Sequence, residues 1–142
     1  MSAWIPIVST LVGGVIGLAS ATWIAWINGR RVAGARLRSA FAPELAIVRT
    51  YPHADWVSLE RILGDPQKDL QALLTAAFQR HSIAIEEYRP FVPRRRQKSY
   101  EEAWRGYYLA GGSISFTAYA VDEDGSEQFC SRIERIFRFT KT

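Results

Sequence analysis

From Trp4 to Ile27 the chain runs for about 24 positions without a charged side chain, and Arg30 and Arg31 follow almost at once. Coiled as an α-helix at about 1.5 Å per residue, the run is about 36 Å long, enough to cross a hydrocarbon core of about 30 Å with some tilt. Its ends are aromatic. Trp4 lies at one end and Trp23 and Trp26 at the other, a separation of roughly 28–33 Å along a helix, close to the thickness of the apolar layer. Indole rings favour the headgroup boundary because they combine an apolar body with one N–H donor. The sequence therefore predicts a transmembrane helix over residues 1–29. A buried core helix is the bland alternative, but such helices seldom reach this length. A cleavable leader is the other. Ala19-Ser20-Ala21 has the small-x-small form of a cleavage site. Against it, no basic residue precedes the run, the run exceeds the usual ~7–15-residue apolar core of a leader, and it continues through Trp23 and Trp26.

Charge sets the expected orientation. Arg30, Arg31, Arg36 and Arg38 precede the first acid, Glu44, and basic residues beside a span are retained on the cytoplasmic side. The expectation is a single-pass protein of a bacterial inner membrane, N-terminus outside and C-terminal domain in the cytoplasm. The lone thiol of Cys130 cannot form an internal disulfide, which suits a reducing compartment. The same four arginines are placed to meet anionic headgroups; their bland role is the topology signal itself.

Within the run, Ser9, Gly13, Gly17, Ala21 and Ala25 recur every fourth residue. Small side chains in register let two helix backbones approach closely, where dispersion and Cα–H···O contacts strengthen. This stripe is the candidate packing face for a second copy or another membrane protein; an anchor with incidental glycines is the alternative.

All 18 basic and 14 acidic residues follow the run, so the net charge of +4 sits there. The remaining residues suffice for one small domain. The fold class expected is mainly α: the span, a basic juxtamembrane helix over 30–50, and a small helical domain over 51–142. Val32, Leu37, Phe41, Leu45 and Val48 loosely follow helical spacing, with Pro43 expected to kink or restart that helix. A short helix is expected over 56–63. Asp65 and Pro66 then read as N-cap and first position of the strongest helix, whose apolar face carries Leu70, Leu73, Leu74, Ala77, Phe78, His81, Ile85 and Tyr88. Ser99 with Glu102 reads as a capping box opening another helix, with Trp104, Tyr107 and Tyr108 on its apolar surface, stopped by Gly111-Gly112. Ser113–Val121 alternates with period two and reads as an unpaired extended connector. Asp124 and Glu127 resemble a second capping pair, opening a last helix that buries Phe129, Ile133, Ile136 and Phe137 and leaves Arg132, Arg135, Arg138 and Lys141 outside.

Phe41-Ala-Pro43-Glu44-Leu45, Ala77-Phe78 with Arg80-His81, Arg89-Pro90-Phe91-Val92-Pro93, Ala103-Trp104 with Tyr107-Tyr108, and Arg132-Ile133-Glu134-Arg135-Ile136-Phe137-Arg138-Phe139 occur in that order. Together they resemble a loosely defined group of small, uncharacterised bacterial proteins with an N-terminal hydrophobic segment. The resemblance implies a transmembrane helix with a helical cytoplasmic domain, and no activity.

The residues offer little chemistry. His81 sits on an apolar face, where a core histidine bonded to a polar neighbour is the ordinary role; His53 falls in a loop. One cysteine and two separated histidines do not make a zinc site, and no phosphate-binding glycine loop follows the span. Glu86-Glu87 and Glu101-Glu102 diverge by about 100° on a helix. Arg94, Arg95 and Arg96, between Pro93 and Lys98, read as an open basic loop. Its uses are a solvated connection, a lipid-headgroup contact like that of Arg30, Arg31, Arg36 and Arg38, or a polynucleotide contact, the last disfavoured by the absence of a nucleic-acid-binding motif.

The function expected is a non-enzymatic, membrane-anchored interaction or assembly protein, with no cofactor, whose partners are membrane lipids and itself or another membrane protein. The alternatives are a membrane-tethered enzyme with a site around His81, Cys130 or the acidic pairs, and a membrane-perturbing effector that oligomerises through its span.

Overall fold

The structure, a computed structural model, describes residues 4–50, 66–122 and 124–141; the side chains of residues 4–16, 66–72, 110, 120 and 121 are outside the description. The chain is mainly helical. Helix α1 spans Trp4–Thr50, α2 spans Pro66–Tyr88, and a 3-10 turn over Arg89–Phe91 leads to α3, Arg94–Tyr108. Strands β1 (Leu109–Ala110) and β2 (Ser113–Ile114) precede a short α4 (Thr117–Val121) and α5 (Gly125–Phe137). The expected helix at 56–63 and the cap at Asp65 lie outside the described residues.

Helix α1 is the axis of the fold, and its two halves differ. Over residues 17–26 every side chain is exposed, Leu18 by 71% and Trp23 by 63%. From Ala33 onward one face is buried: Leu37, Ala40, Phe41, Leu45 and Val48 share a single core with residues of α2, α3, α4 and α5. The basic segment over 30–50 is thus integral to the domain rather than a link to it. Among the described residues no helix is long and apolar enough to cross a membrane. Most of the apolar run counted in the sequence falls at residues 4–16, outside the described side chains.

α1 does not restart at Pro43, which lies inside the continuous helix. Proline deprives the Ser39 carbonyl of its N–H partner, but Phe41, Glu44, Leu45 and Val48 are buried on both sides of it, and Arg80 Nε donates to the neighbouring Ala40 carbonyl at 3.0 Å. Tertiary contacts therefore hold the helix together where local chemistry would interrupt it.

The expected apolar face of α2 is present: Leu74, Ala77, His81, Ile85 and Tyr88 are buried, and Leu73 and Phe78 are half-buried. Its start at Pro66 and its end before Arg89-Pro90 also match. α3 begins earlier than the Ser99 capping box predicts. Pro93 occupies the cap position without a side-chain bond, and Arg94, Arg95 and Arg96 form the first turn instead of an open loop. Three cations at a helix N-terminus oppose the helix dipole. Burial of Tyr100, Ala103, Trp104 and Tyr107 outweighs that cost, and Arg96 lies 4.7 Å over the Phe139 ring.

Ser113–Val121 is not an extended connector. Ser113 and Ile114 pair antiparallel with Ala110 and Leu109, in the register Leu109↔Ile114 and Ala110↔Ser113, and Thr117–Val121 is helical. The turn uses Gly111 and Gly112 at φ 60° and 86°, a region open to glycine at little cost. The period-two pattern was a poor guide here, since Phe116 and Tyr119 are both buried at helical spacing. α5 buries Phe129, Ile133 and Ile136 as expected and half-buries Phe137. Asp124 makes no side-chain cap; its Oδ1 accepts from Gln128 Nε2 at 2.8 Å. Arg132 is not left outside: it donates to the Tyr119 hydroxyl at 3.0 Å. A Cβ on Gly125 would lie 2.8 Å from the Tyr119 carbonyl carbon, so this glycine permits the close approach of α4 and α5.

The core is unusually rich in tyrosine, and each buried hydroxyl needs a partner. Tyr100 donates to the Ile85 carbonyl at 3.0 Å and Tyr119 to the Tyr107 carbonyl at 2.6 Å. Both acceptors lie in the last turn of a helix, where carbonyls lack an intrahelical N–H. The tyrosines thus cap α2 and α3 from neighbouring elements while filling the core.

Candidate functional site

Two polar constellations stand out. One is buried at the crossing of α1, α2 and α3. Glu44 of α1 and His81 of α2 are 3% and 0% exposed. His81 Nε2 lies 3.2 Å from Glu44 Oε2, and its Nδ1 lies 3.0 Å from the Tyr107 hydroxyl. The other carboxylate oxygen of Glu44 accepts from Arg80. Phe41 stacks on the imidazole at 3.9 Å and 14°.

The donor roles follow from the partners. A carboxylate only accepts, so Nε2 carries the proton toward Glu44, and Nδ1 of the neutral ring accepts from Tyr107 O–H. Burial lowers the His81 pKa, with Arg80 adding to the shift, while the bond to Glu44 opposes it without reversing it. Burial likewise pushes the Tyr107 phenol upward. The imidazole is therefore neutral at pH 7, and Arg80, whose side chain is 49% exposed, joins the network through Glu44.

A base with its ring oriented by a carboxylate is the arrangement of many hydrolytic sites. Here both ring nitrogens are bonded within the protein and the ring has no exposed surface, so the imidazole offers no place for a substrate. The group cross-links three helices, and Cys130, half-buried on α5, has no free ring nitrogen of His81 to pair with. Among the described residues no cluster of His, Cys, Asp and Glu could hold a metal ion.

The pH dependence has a definite sign. His81 is protonated below about pH 6.5 in the unfolded chain and only at lower pH in the folded one. Its neutral contribution to stability is complete above about 6.5 and is lost as the pH falls from there through the lowered folded value. The melting temperature of the full chain in mild detergent is expected to drop between pH 7 and pH 5, and the drop should shrink in His81→Gln. An equal drop in both would assign the acid sensitivity elsewhere.

The second constellation is an open groove of about 510 Å³ along α1, with Trp23, Trp26, Arg30, Arg31 and Arg38 on one side and Thr140 on the other. With Ile27, Gly34 and Ala35, which also line the groove, the α1 positions are linked by three- and four-residue steps, so they share one face of the helix. Trp23 stacks on Trp26 at 5.5 Å, Trp26 meets Phe91 at 6.2 Å, and the Arg30 guanidinium lies 5.7 Å over the Trp26 ring. Arg38 places Nε and Nη2 on the Thr140 hydroxyl at 3.1 and 2.8 Å. Arg30 Nε reaches the Tyr88 hydroxyl at 3.4 Å, and that hydroxyl donates to the Phe139 carbonyl at 2.8 Å. A C-terminal turn is thereby strapped to α1.

The arginines singled out in the sequence separate accordingly. Arg30, Arg31 and Arg38 converge on the groove. Arg36 instead pairs with Glu87 at 3.6 Å. Arg94 and Arg95 are exposed on α3 and do not line the groove, and Arg96 is taken by Phe139. Of the small-residue stripe, a Cβ on Gly17 would meet nothing within 4 Å, and Ala21 and Ala25 are exposed. Ser9 and Gly13 lie on α1 with their surroundings outside the description. Sequence reasoning identified His81 as a core histidine but missed Glu44 as its partner, since the two lie 37 residues apart.

No family model, curated protein or solved structure matches this chain.

Proposed function

We propose that this protein is a single-pass, membrane-anchored assembly subunit, non-enzymatic, with the apolar half of α1 in the bilayer of a bacterial inner membrane and the helical domain on the cytoplasmic face. The observation that carries this reading is the division of α1. One uninterrupted helix joins a charge-free apolar half, exposed over residues 17–26, to a half buried in the domain core. A surface helix exposing Leu18, Trp23 and Ile24 to water is unfavourable; the same face in lipid is at home. Because no joint separates the halves, rotation or tilt of the span is transmitted to the domain. That suits a subunit whose span and domain meet partners together, and it gives an orphan network such as Glu44–His81–Tyr107 a structural rather than a catalytic role.

Association through Ser9, Gly13, Gly17, Ala21 and Ala25 is favoured by the open space at Gly17. Gly13→Ile and Gly17→Ile are each expected to abolish crosslinked dimers, or co-purification of a partner span, while leaving the segment apolar enough to insert. Leu18→Ile serves as the control. Equal behaviour of all three variants would return the glycines to the role of a plain anchor.

A further inference from the structure

The groove on α1 brings together features that an anion with an apolar tail would use. Arg30, Arg31 and Arg38 line it, and no Asp or Glu does so among the described residues. Arg38 is held by a neutral hydroxyl, so that contact positions the cation without cancelling its charge, and Arg30 touches a hydroxyl and an indole face of the same wall. Two of the walls are Trp23 and Trp26, at the end of the apolar run. Gly34 forms part of the lining, and a Cβ there would be 3.5 Å from Tyr88 and 3.7 Å from Thr140. The volume of about 510 Å³ falls within the range of about 300–1,000 Å³ typical of ligand pockets.

Position along the helix adds the membrane argument. Arg30 and Arg31 lie about 4.5–6 Å beyond Ile27 on the helix axis, within the headgroup layer next to a core of about 30 Å. Arg38 lies about 12 Å further along the axis than Arg30 and lines the same groove, where Thr140 holds its guanidinium. Arg36, Arg94 and Arg95 lack this convergence.

We propose that this groove binds the headgroup phosphate of an anionic phospholipid, with the guanidinium groups of Arg30, Arg31 and Arg38 around the phosphate and Trp23 and Trp26 against the glycerol and upper acyl chain. Guanidinium groups suit the ligand because their forked N–H donors match phosphate oxygens. The site rests on the membrane reading given above and narrows it: one lipid is held at a built position rather than a diffuse charge layer touching every arginine.

The test uses the full chain in nonionic detergent, titrated with phosphatidylglycerol, phosphatidylcholine or inorganic phosphate and read by native mass spectrometry. Phosphatidylglycerol adducts are expected to form at lower concentration than phosphatidylcholine adducts, and inorganic phosphate should not displace them at equal concentration. Arg31→Gln and Ala35→Glu change exposed positions of the groove and are each expected to weaken phosphatidylglycerol binding roughly fivefold. Arg105→Gln combined with Arg135→Gln removes two exposed cations outside the groove and should leave binding unchanged. Equal binding of the two lipids, or equal losses in groove and control variants, would overturn the proposal, and full displacement by inorganic phosphate would make the site one for free anions. Alkaline washing of membranes that carry the full chain separates the two readings: release of the chain sinks the anchor, whereas retention without lipid preference sinks only the groove.

Discussion

Glu44→Leu is expected to cost the folded domain about 3 kcal/mol. Among the described residues Glu44 is the one acidic side chain buried at the α1–α2 crossing, and it accepts from both His81 and Arg80. Leucine fills the space but leaves the Nε2–H of His81 without an acceptor in a site that excludes water, and an unsatisfied buried donor costs about 1–3 kcal/mol by itself. Loss of the Arg80 interaction adds less, because that side chain is 49% exposed and water replaces part of what is removed. Tyr107→Phe provides the scale. It deletes one hydrogen bond to Nδ1 and is expected to cost about 1 kcal/mol. Denaturant unfolding of the full chain in mild detergent, followed by near-ultraviolet circular dichroism, gives both values. Similar small losses for the two variants would mean that the carboxylate does not hold the helices together.

Leu74→Asp is the harsher change. Leu74 is fully buried on α2 and belongs to the hydrophobic core, so an introduced carboxylate must either take up a proton or open the core, at a cost of several kcal/mol. For a small domain whose total stability is in the range of about 5–15 kcal/mol, this is expected to abolish cooperative unfolding and expose the chain to limited proteolysis. Phe78→Asp should be milder, since Phe78 is only half-buried, although it stacks on Trp104 at 5.5 Å. A Leu74→Asp chain that melts like the parent would show that the buried face of α2 has been wrongly assigned.

What the sequence reveals here depends on whether local or distant chemistry decides. The faces of α2 and α5 are legible because burial at three- and four-residue steps is written in the chain itself: Leu74, His81 and Ile85 on one, Phe129, Ile133 and Ile136 on the other. The start of α3 is not. The Ser99–Glu102 pair offers a sound local cap, yet the helix begins at Arg94, where its first turn sets Arg96 over the ring of the distant Phe139. The hairpin after α3 escapes notice for a related reason. Its strands have two residues each, too few to leave a period, and the deciding signal is the pair of glycines between them, which equally serves as a helix stop. Pro43 shows the same competition within one helix, where the Arg80 bond and the buried flanks prevail over a residue that breaks helices in isolation.

The candidate sites divide in the same way. The convergence of Arg30, Arg31 and Arg38 follows from their spacing along α1, so part of the groove is readable in the chain. Its far wall, Thr140, is 102 residues from Arg38 and only the fold brings it there. The Glu44–His81 bond is likewise a product of two helices crossing. A lone histidine on an apolar face indicates that a polar partner must exist somewhere, but not which residue supplies it.

The proposed role makes α1 at once a membrane span and the spine of a cytoplasmic domain. The most direct measurement fuses a reporter active only in the cytoplasm after Thr142 and follows its activity through an alkaline carbonate wash of the membranes, beside a matched periplasm-specific reporter. The proposed topology requires that the cytoplasmic reporter is active, that its activity stays with the washed membrane pellet, and that the periplasmic reporter is silent. Activity released into the supernatant, or an active periplasmic reporter, would contradict it.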